Sequence, residues 1–169
     1  MILSIDPGLD TGWALWRAGR LAACGYGDAR SSPLHVVHSS NPDEDVIHDV
    51  WIEDQEIYPR SPVPPRDVLT LAKLAHCVRG RYETLGATVH MVLPRAWKGG
   101  TPCTCTARNP DPAACTHHSR VWAKLSAHEQ DLVDVGVRGM APSKRHNVLD
   151  AVGIGQWAVQ RTSTWGMFS

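Results

Sequence analysis

The stretch Ile2-Leu3-Ser4-Ile5-Asp6-Pro7-Gly8-Leu9-Asp10-Thr11-Gly12-Trp13-Ala14-Leu15-Trp16 decides how the rest of the chain is read. Residues 2 to 6 are an apolar run that ends on a carboxylate. Pro7-Gly8 breaks it, because proline donates no hydrogen bond and glycine turns freely. Thr11 to Trp16 resumes as strand, Gly19-Arg20 makes a second turn, and Leu21 to Tyr26 supplies a third strand. The chain therefore begins with three antiparallel strands, the first of which delivers Asp6 to its end.

Working outward, residues 28 to 45 hold turn residues and no clean helical period, which argues for irregular structure or very short elements. Val46 to Ile52 is apolar and is closed by Glu53-Asp54, which predicts a fourth strand ending in carboxylates. Pro59, Pro62, Pro64 and Pro65 make residues 55 to 66 an extended surface loop. From Asp67, the spacing of Val68, Leu71, Ala72, Ala75, Val78, Tyr82 and Leu85 predicts a helix capped by Gly86, and Thr88 to Leu93 reads as a strand. Strand, helix and parallel strand thus span residues 46 to 93. Residues 99 to 118, rich in Gly, Pro, Thr and Cys, read as a Cys-rich insertion loop. Two further helices are expected, over 120 to 132 and over 143 to 160, the second despite Gly153 and Gly155, each of which lowers helix propensity by about 1 kcal/mol relative to Ala. This order predicts one α/β domain over residues 1 to 169, with a mixed five-stranded sheet under helical cover.

At 169 residues the chain suits one core rather than two enzyme domains. Lys plus Arg and Asp plus Glu both total 17, which excludes a grip on a polyanion through bulk positive charge. The charges are nevertheless sorted along the chain. Residues 43 to 56 hold seven acidic groups and no Lys or Arg, whereas residues 60 to 100 hold seven basic groups against Asp67 and Glu83. No apolar run approaches the roughly 20 residues that span a bilayer, and the first residues lack the pattern of a secretory signal. The expected setting is the cytoplasm, of a bacterium or of an infected host cell.

A mixed sheet can bring the ends of the first and fourth strands together, and a helix crossing that edge can add Asp150 to Asp6 and Glu53. Three such carboxylates repel one another unless protonated or neutralised by cations. Oxygen donors suit Mg²⁺ or Mn²⁺, and two such ions can activate water and stabilise a leaving oxygen in phosphodiester cleavage. His146 and Asn147, four and three residues before Asp150, can each share its helix face and complete the metal site. His146 can also serve a proton at a phosphate oxygen.

These motifs resemble those of the RuvC-type Holliday junction resolvases of the RNase H-like superfamily. Ile5-Asp6-Pro7-Gly8 with Thr11-Gly12-Trp13 is similar to that family's first catalytic strand and turn, and Val50 to Gln55 to the segment of its second carboxylate. Leu93-Pro94-Arg95 with Trp97-Lys98 resembles its Pro-Arg segment, and Leu149-Asp150-Ala151-Val152 its last helix and metal-binding aspartate. The resemblance implies an RNase H-like mixed five-stranded sheet flanked by helices, and a homodimer that cuts four-way DNA junctions symmetrically with divalent metal. Cellular recombination and phage genome processing both fit such an activity. The chain departs from the family at Asn147, where an acidic residue or a histidine is usual.

Basic and aromatic residues extend the reading to DNA. Arg60, Arg66, Arg95, Lys98, Lys144 and Arg145 are candidate phosphate contacts, and Lys98 is also placed to stabilise charge on the transferring phosphate. Tyr58 and Trp97 can stack on exposed bases, or anchor loops. Cys103, Cys105, Cys115 and His118 carry enough soft donors for one structural zinc, with free thiols or a disulfide as the other readings. Two competing functions remain. Asp6-x-Gly8-x-x-Thr11 is similar to the phosphate-binding turn of sugar-kinase and actin-like ATPases, which need two such domains. A junction-binding architectural protein without catalysis is the other.

Overall fold

A computed structural model describes residues 1–8, 10–27, 47–55, 64–99, 105 and 115–165, with side chains to residue 162. Strands β1 (Ile2–Asp6), β2 (Thr11–Arg17), β3 (Arg20–Gly27), β4 (Asp49–Glu53) and β5 (Thr88–Val92) form one sheet in the order β3-β2-β1-β4-β5. The first three are antiparallel, and β4 runs parallel to both β1 and β5, as the strand, helix, strand reading requires. The expected mixed five-stranded sheet flanked by helices is therefore present.

Period two assigns each strand residue to a face. Leu3 and Ile5 of β1 point to the same side as Val50 and Ile52 of β4, where they bury against Ala75, Val78 and Tyr82 of helix α1 (Pro65–Thr84). Ser4 lies on the other face beneath the C-terminal helix, fully buried. It takes a hydrogen bond from Trp16 Nε1 at 3.3 Å and gives one to the Ala14 carbonyl at 3.1 Å. The alternation that sends Ser4 to this face sends Asp6 there too, and the alternation through Trp51 does the same for Glu53.

Helix α2 (Pro94–Lys98) follows β5. Pro94 starts it without losing a helical hydrogen bond, and Gly99 ends it in the left-handed conformation. The single helix expected over 120 to 132 is two: α3 (Thr116–Ala123) and α4 (Ala127–Gly136). Ser126 divides them through a capping box. Its hydroxyl accepts from the Glu129 backbone N–H, and the Glu129 carboxylate accepts from the Ser126 N–H at 2.8 Å. The start of α3 at Thr116 also takes residues 116 to 118 out of the expected loop. Helix α5 (Arg145–Trp165), preceded by a 3₁₀ turn over Pro142–Lys144, crosses the sheet opposite α1. It packs Val148, Leu149 and Val152 with the β2 and β3 side chains Ala14, Trp16 and Cys24. Ile154 and Ala158 of the same helix meet Trp51 and Val92.

Close docking of α5 explains the Thr11-Gly12-Trp13 motif in physical terms. A Cβ on Gly12 would sit 2.8 Å from the Val148 nitrogen and collide with the Asn147 carbonyl, so only glycine lets the helix start lie against β2. Among the described residues no helix is long and apolar enough to cross a membrane. The expected irregular stretch over 28 to 45 and the greater part of the proline loop lie outside the described residues.

Candidate functional site

Four pieces of chain meet on the α5 side of the sheet. Asp6 ends β1 and Glu53 ends β4, each one position beyond the paired residues Ile5 and Ile52. Asp150 faces them from the second turn of α5, and Lys98 reaches in from the end of α2. Glu53 and Asp150 are only 5% and 4% exposed, so their charges are held away from water. Lys98 Nζ lies 3.1 Å from Asp150 Oδ2 and 3.4 Å from Glu53 Oε2, bridging the two.

Each carboxylate has its own support. Glu53 accepts from Trp97 Nε1 at 2.9 Å on Oε2 and from Gln55 Nε2 at 3.4 Å on Oε1. Trp97 is therefore the anchor of Glu53, with its indole packed edge-on to His117 and against Gly153. Asp150 Oδ1 lies 2.8 Å from His118 Nε2, a contact buried on both sides. His117 Nε2 lies 3.4 Å from the same oxygen without hydrogen-bond geometry, and is a buried nitrogen with no hydrogen-bond partner. Neither contact to Asp150 was anticipated from the sequence, where His118 stood only as a zinc ligand.

The electrostatics follow from this layout. Burial pushes the Asp6 carboxyl well above its usual range, and Glu53 and Asp150 push it further, against the opposing charge of Lys98. Glu53 is also raised, by burial first and by Asp150, against the pull of Lys98 and the indole N–H. Asp150 goes the other way. Burial raises it, but Lys98 and the two histidines together outweigh burial and hold it below the usual carboxylate range. Lys98 stays protonated because the three carboxylates overcome the burial that would discharge it. Among the described residues one cation faces three carboxylates, two of which resist ionisation without further positive charge, and such oxygen donors fit a hard divalent cation.

The remaining candidates fall into four groups. His146 sits beside the cluster, its ring 6.4 Å from that of His118, with its pKa lowered chiefly by burial. Asn147 Nδ2 donates to the Asp10 carbonyl at 2.7 Å, fastening α5 to the turn between β1 and β2. Lys144 is committed to the same turn by a 2.6 Å ion pair with Asp10. Arg66, Arg95 and Arg145 are exposed. Tyr58, Arg60 and Cys103 lie outside the described residues.

A second cluster adjoins the first. Cys105, Cys115 and His118 offer ligand atoms within 4.8 Å of one another, and Cys105 Sγ is 3.1 Å from His118 Nδ1. No disulfide joins the described cysteines. His118 thus belongs to both clusters, one through each ring nitrogen.

No protein-family model matches the chain, and no curated protein matches it. Among solved structures the chain is similar to Thermus thermophilus RuvC in complex with a Holliday junction substrate. The identity is 16%, coverage is 96% of this chain and 95% of that chain, and the TM-score is 0.47. A second T. thermophilus RuvC structure is similar at 16% identity, with 96% of each chain covered and a TM-score of 0.45.

Proposed function

We propose that the chain is a metal-dependent, structure-selective endodeoxyribonuclease that resolves four-way (Holliday) DNA junctions by symmetric phosphodiester hydrolysis. The observation that carries this reading is the convergence of Asp6, Glu53 and Asp150, from two strand ends and a helix, around one lysine. Mg²⁺ or Mn²⁺, as two ions, would be held by Asp6, Glu53 and Asp150 with His146 or Asn147, and would supply the charge that activates water and stabilises a leaving 3′ oxygen. The product then carries a 5′ phosphate.

The chain's own residues divide the remaining work. Trp97 and Gln55 fix the orientation of Glu53, and His118 fixes that of Asp150. Lys98 carries positive charge into a largely buried carboxylate cluster, where it counts for more against a phosphate than it would at the surface. His146, whose pKa burial lowers, is available in its neutral form at neutral pH to accept a proton at the reacting phosphate. Arg66, Arg95 and Arg145 contribute phosphate contacts, which position the DNA without reading sequence. Symmetric cutting of two strands needs two sites, and this chain gathers one such cluster among its described residues, so the active form is a homodimer on branched DNA.

A gel assay on four-way, splayed and linear DNA with Mg²⁺, Mn²⁺ or chelator tests the reading. Cleavage of the four-way substrate at paired symmetric positions is expected, and Asp6→Asn or Asp150→Asn should abolish it while junction binding persists. Undiminished cleavage by both variants refutes the assignment. Tight junction binding without turnover in either metal would leave an architectural protein, the reading that Asn147's commitment to Asp10 favours.

A further inference from the structure

We propose that Cys105, Cys115 and Nδ1 of His118 bind a zinc ion, and that this ion positions the catalytic carboxylate Asp150 through the other nitrogen of His118. The positioning half rests on the nuclease reading above; the zinc half does not.

The donor set selects the metal. Two thiolates and an imidazole are soft or borderline ligands that favour zinc, whereas Mg²⁺ and Mn²⁺ prefer the carboxylate oxygens next door. The two clusters therefore sort their metals by chemistry. A tetrahedral zinc, about 2.3 Å from sulfur and about 2.0 Å from nitrogen, holds its ligand atoms about 3.5 Å apart. Cys105 Sγ and His118 Nδ1 are 3.1 Å apart, and all three atoms lie within 4.8 Å of one another, so small side-chain rotations suffice. Cys115 is 1% exposed and His118 equally buried, which places the site under cover. Cys115 is the N-cap of α3 and His118 lies in that helix's first turn, so two of the three ligands are held by one rigid element. Binding releases the thiol protons to solvent.

The coupling follows from the two ends of one ring. Once zinc occupies Nδ1, the proton of neutral imidazole must sit on Nε2, and that N–H points at Asp150 Oδ1 2.8 Å away. A metal-bound histidine whose second nitrogen bonds a carboxylate is a familiar arrangement, with the carboxylate steadying the metal site. Here the same bond works in the opposite direction as well. It pins one oxygen of Asp150 and leaves Oδ2, the oxygen next to Lys98, turned toward Glu53. Without zinc, the Asp150 carboxylate alone favours that tautomer, and Nδ1 is left to the Cys105 sulfur 3.1 Å away. His118 is thus a positioning residue, and zinc sets its tautomer.

The test uses the full chain purified under reducing conditions. Elemental analysis should find about one zinc per chain, lost in Cys105→Ser and in Cys115→Ser. Cobalt substitution should give thiolate-to-cobalt charge-transfer absorption in the wild type and not in either variant. Cys105 is more exposed than Cys115, so Cys105→Ser keeps the test valid if Cys115→Ser fails to fold, which circular dichroism will show. In folded, zinc-free variant the Mg²⁺ concentration for half-maximal junction cleavage should rise about 10–100-fold. Wild-type protein that contains no zinc and takes up none when it is supplied overturns the site. A zinc-free variant with an unchanged Mg²⁺ requirement overturns the positioning role. Wild-type protein that holds zinc but cuts no junction sinks the nuclease reading and leaves the zinc site standing.

Discussion

Burial, Glu53 and Asp150 all oppose a charge on Asp6, and among the described residues Lys98 favours it. Such a group is a liability to the metal-free fold. Because its pKa is raised in the folded state, the penalty is full above the raised value, shrinks as pH falls from there and is gone below the ordinary aspartate range. Asp6→Asn should therefore raise the melting temperature of the metal-free protein at neutral pH, by about 2–4 °C for each kcal/mol recovered, while it removes cleavage. A lowered melting temperature would show that Asp6 is structurally required. Glu129 has the opposite sign. Burial raises its pKa, but backbone N–H groups of Ser126 and Leu21 and the Ser126 hydroxyl outweigh this and lower it. Its contribution is full above the ordinary glutamate range and lost as pH falls through its depressed value. Glu129→Ala should cost about 1–3 kcal/mol at neutral pH by orphaning two backbone donors, and the deficit against wild type should shrink in acid denaturation melts. The carboxylates of the site were legible in the sequence because strand ends and helix periodicity are local signals. The histidine contacts were not, since no spacing along the chain says what the second nitrogen of His118 will touch.

At the scale of elements, α5 joins the two halves of the structure. It presents Asp150 to the site and, one turn on, lets Trp97 pack against Gly153, where an added Cβ would come 2.5 Å from the indole and 3.1 Å from Val121. Gly153→Ala gains about 1 kcal/mol of helix propensity but suffers about 1–3 kcal/mol of overpacking. Its larger effect is expected on function, as the displaced indole releases Glu53. Melting curves and cleavage rates together check this, and a variant with full activity would show that Trp97 can move without consequence. The antiparallel opening and the parallel strand pair could be read from apolar runs and breakers, whereas the order of strands in the sheet could not. The division of α3 from α4 was written in Ser126-x-x-Glu129, yet periodicity through Val121, Leu125, His128 and Leu132 ran straight across it. A capping box is a stronger stop signal than an apolar stripe is a continuation signal, because it satisfies backbone donors that a stripe leaves unaddressed.

For the whole molecule, zero net charge makes the response to salt informative. With no bulk attraction, the slope of log affinity against log salt counts local phosphate contacts. Arg145, exposed at the start of α5 and about 7.5 Å along the helix axis from Asp150, should lower that slope by about 1 when replaced by Ala. Lys144, already paired with Asp10, should change it less. Equal effects would mean that the Lys144 pair opens on DNA. Finally, all five strands precede Gly99, whereas α3, α4 and α5 follow Cys115. A single cut between those points would yield one fragment holding Asp6, Glu53 and Lys98 and another holding His118 and Asp150. Each would bare an apolar face that only the other fits, so the chain is suited to a split reporter whose signal returns when two fused partners bring the halves together.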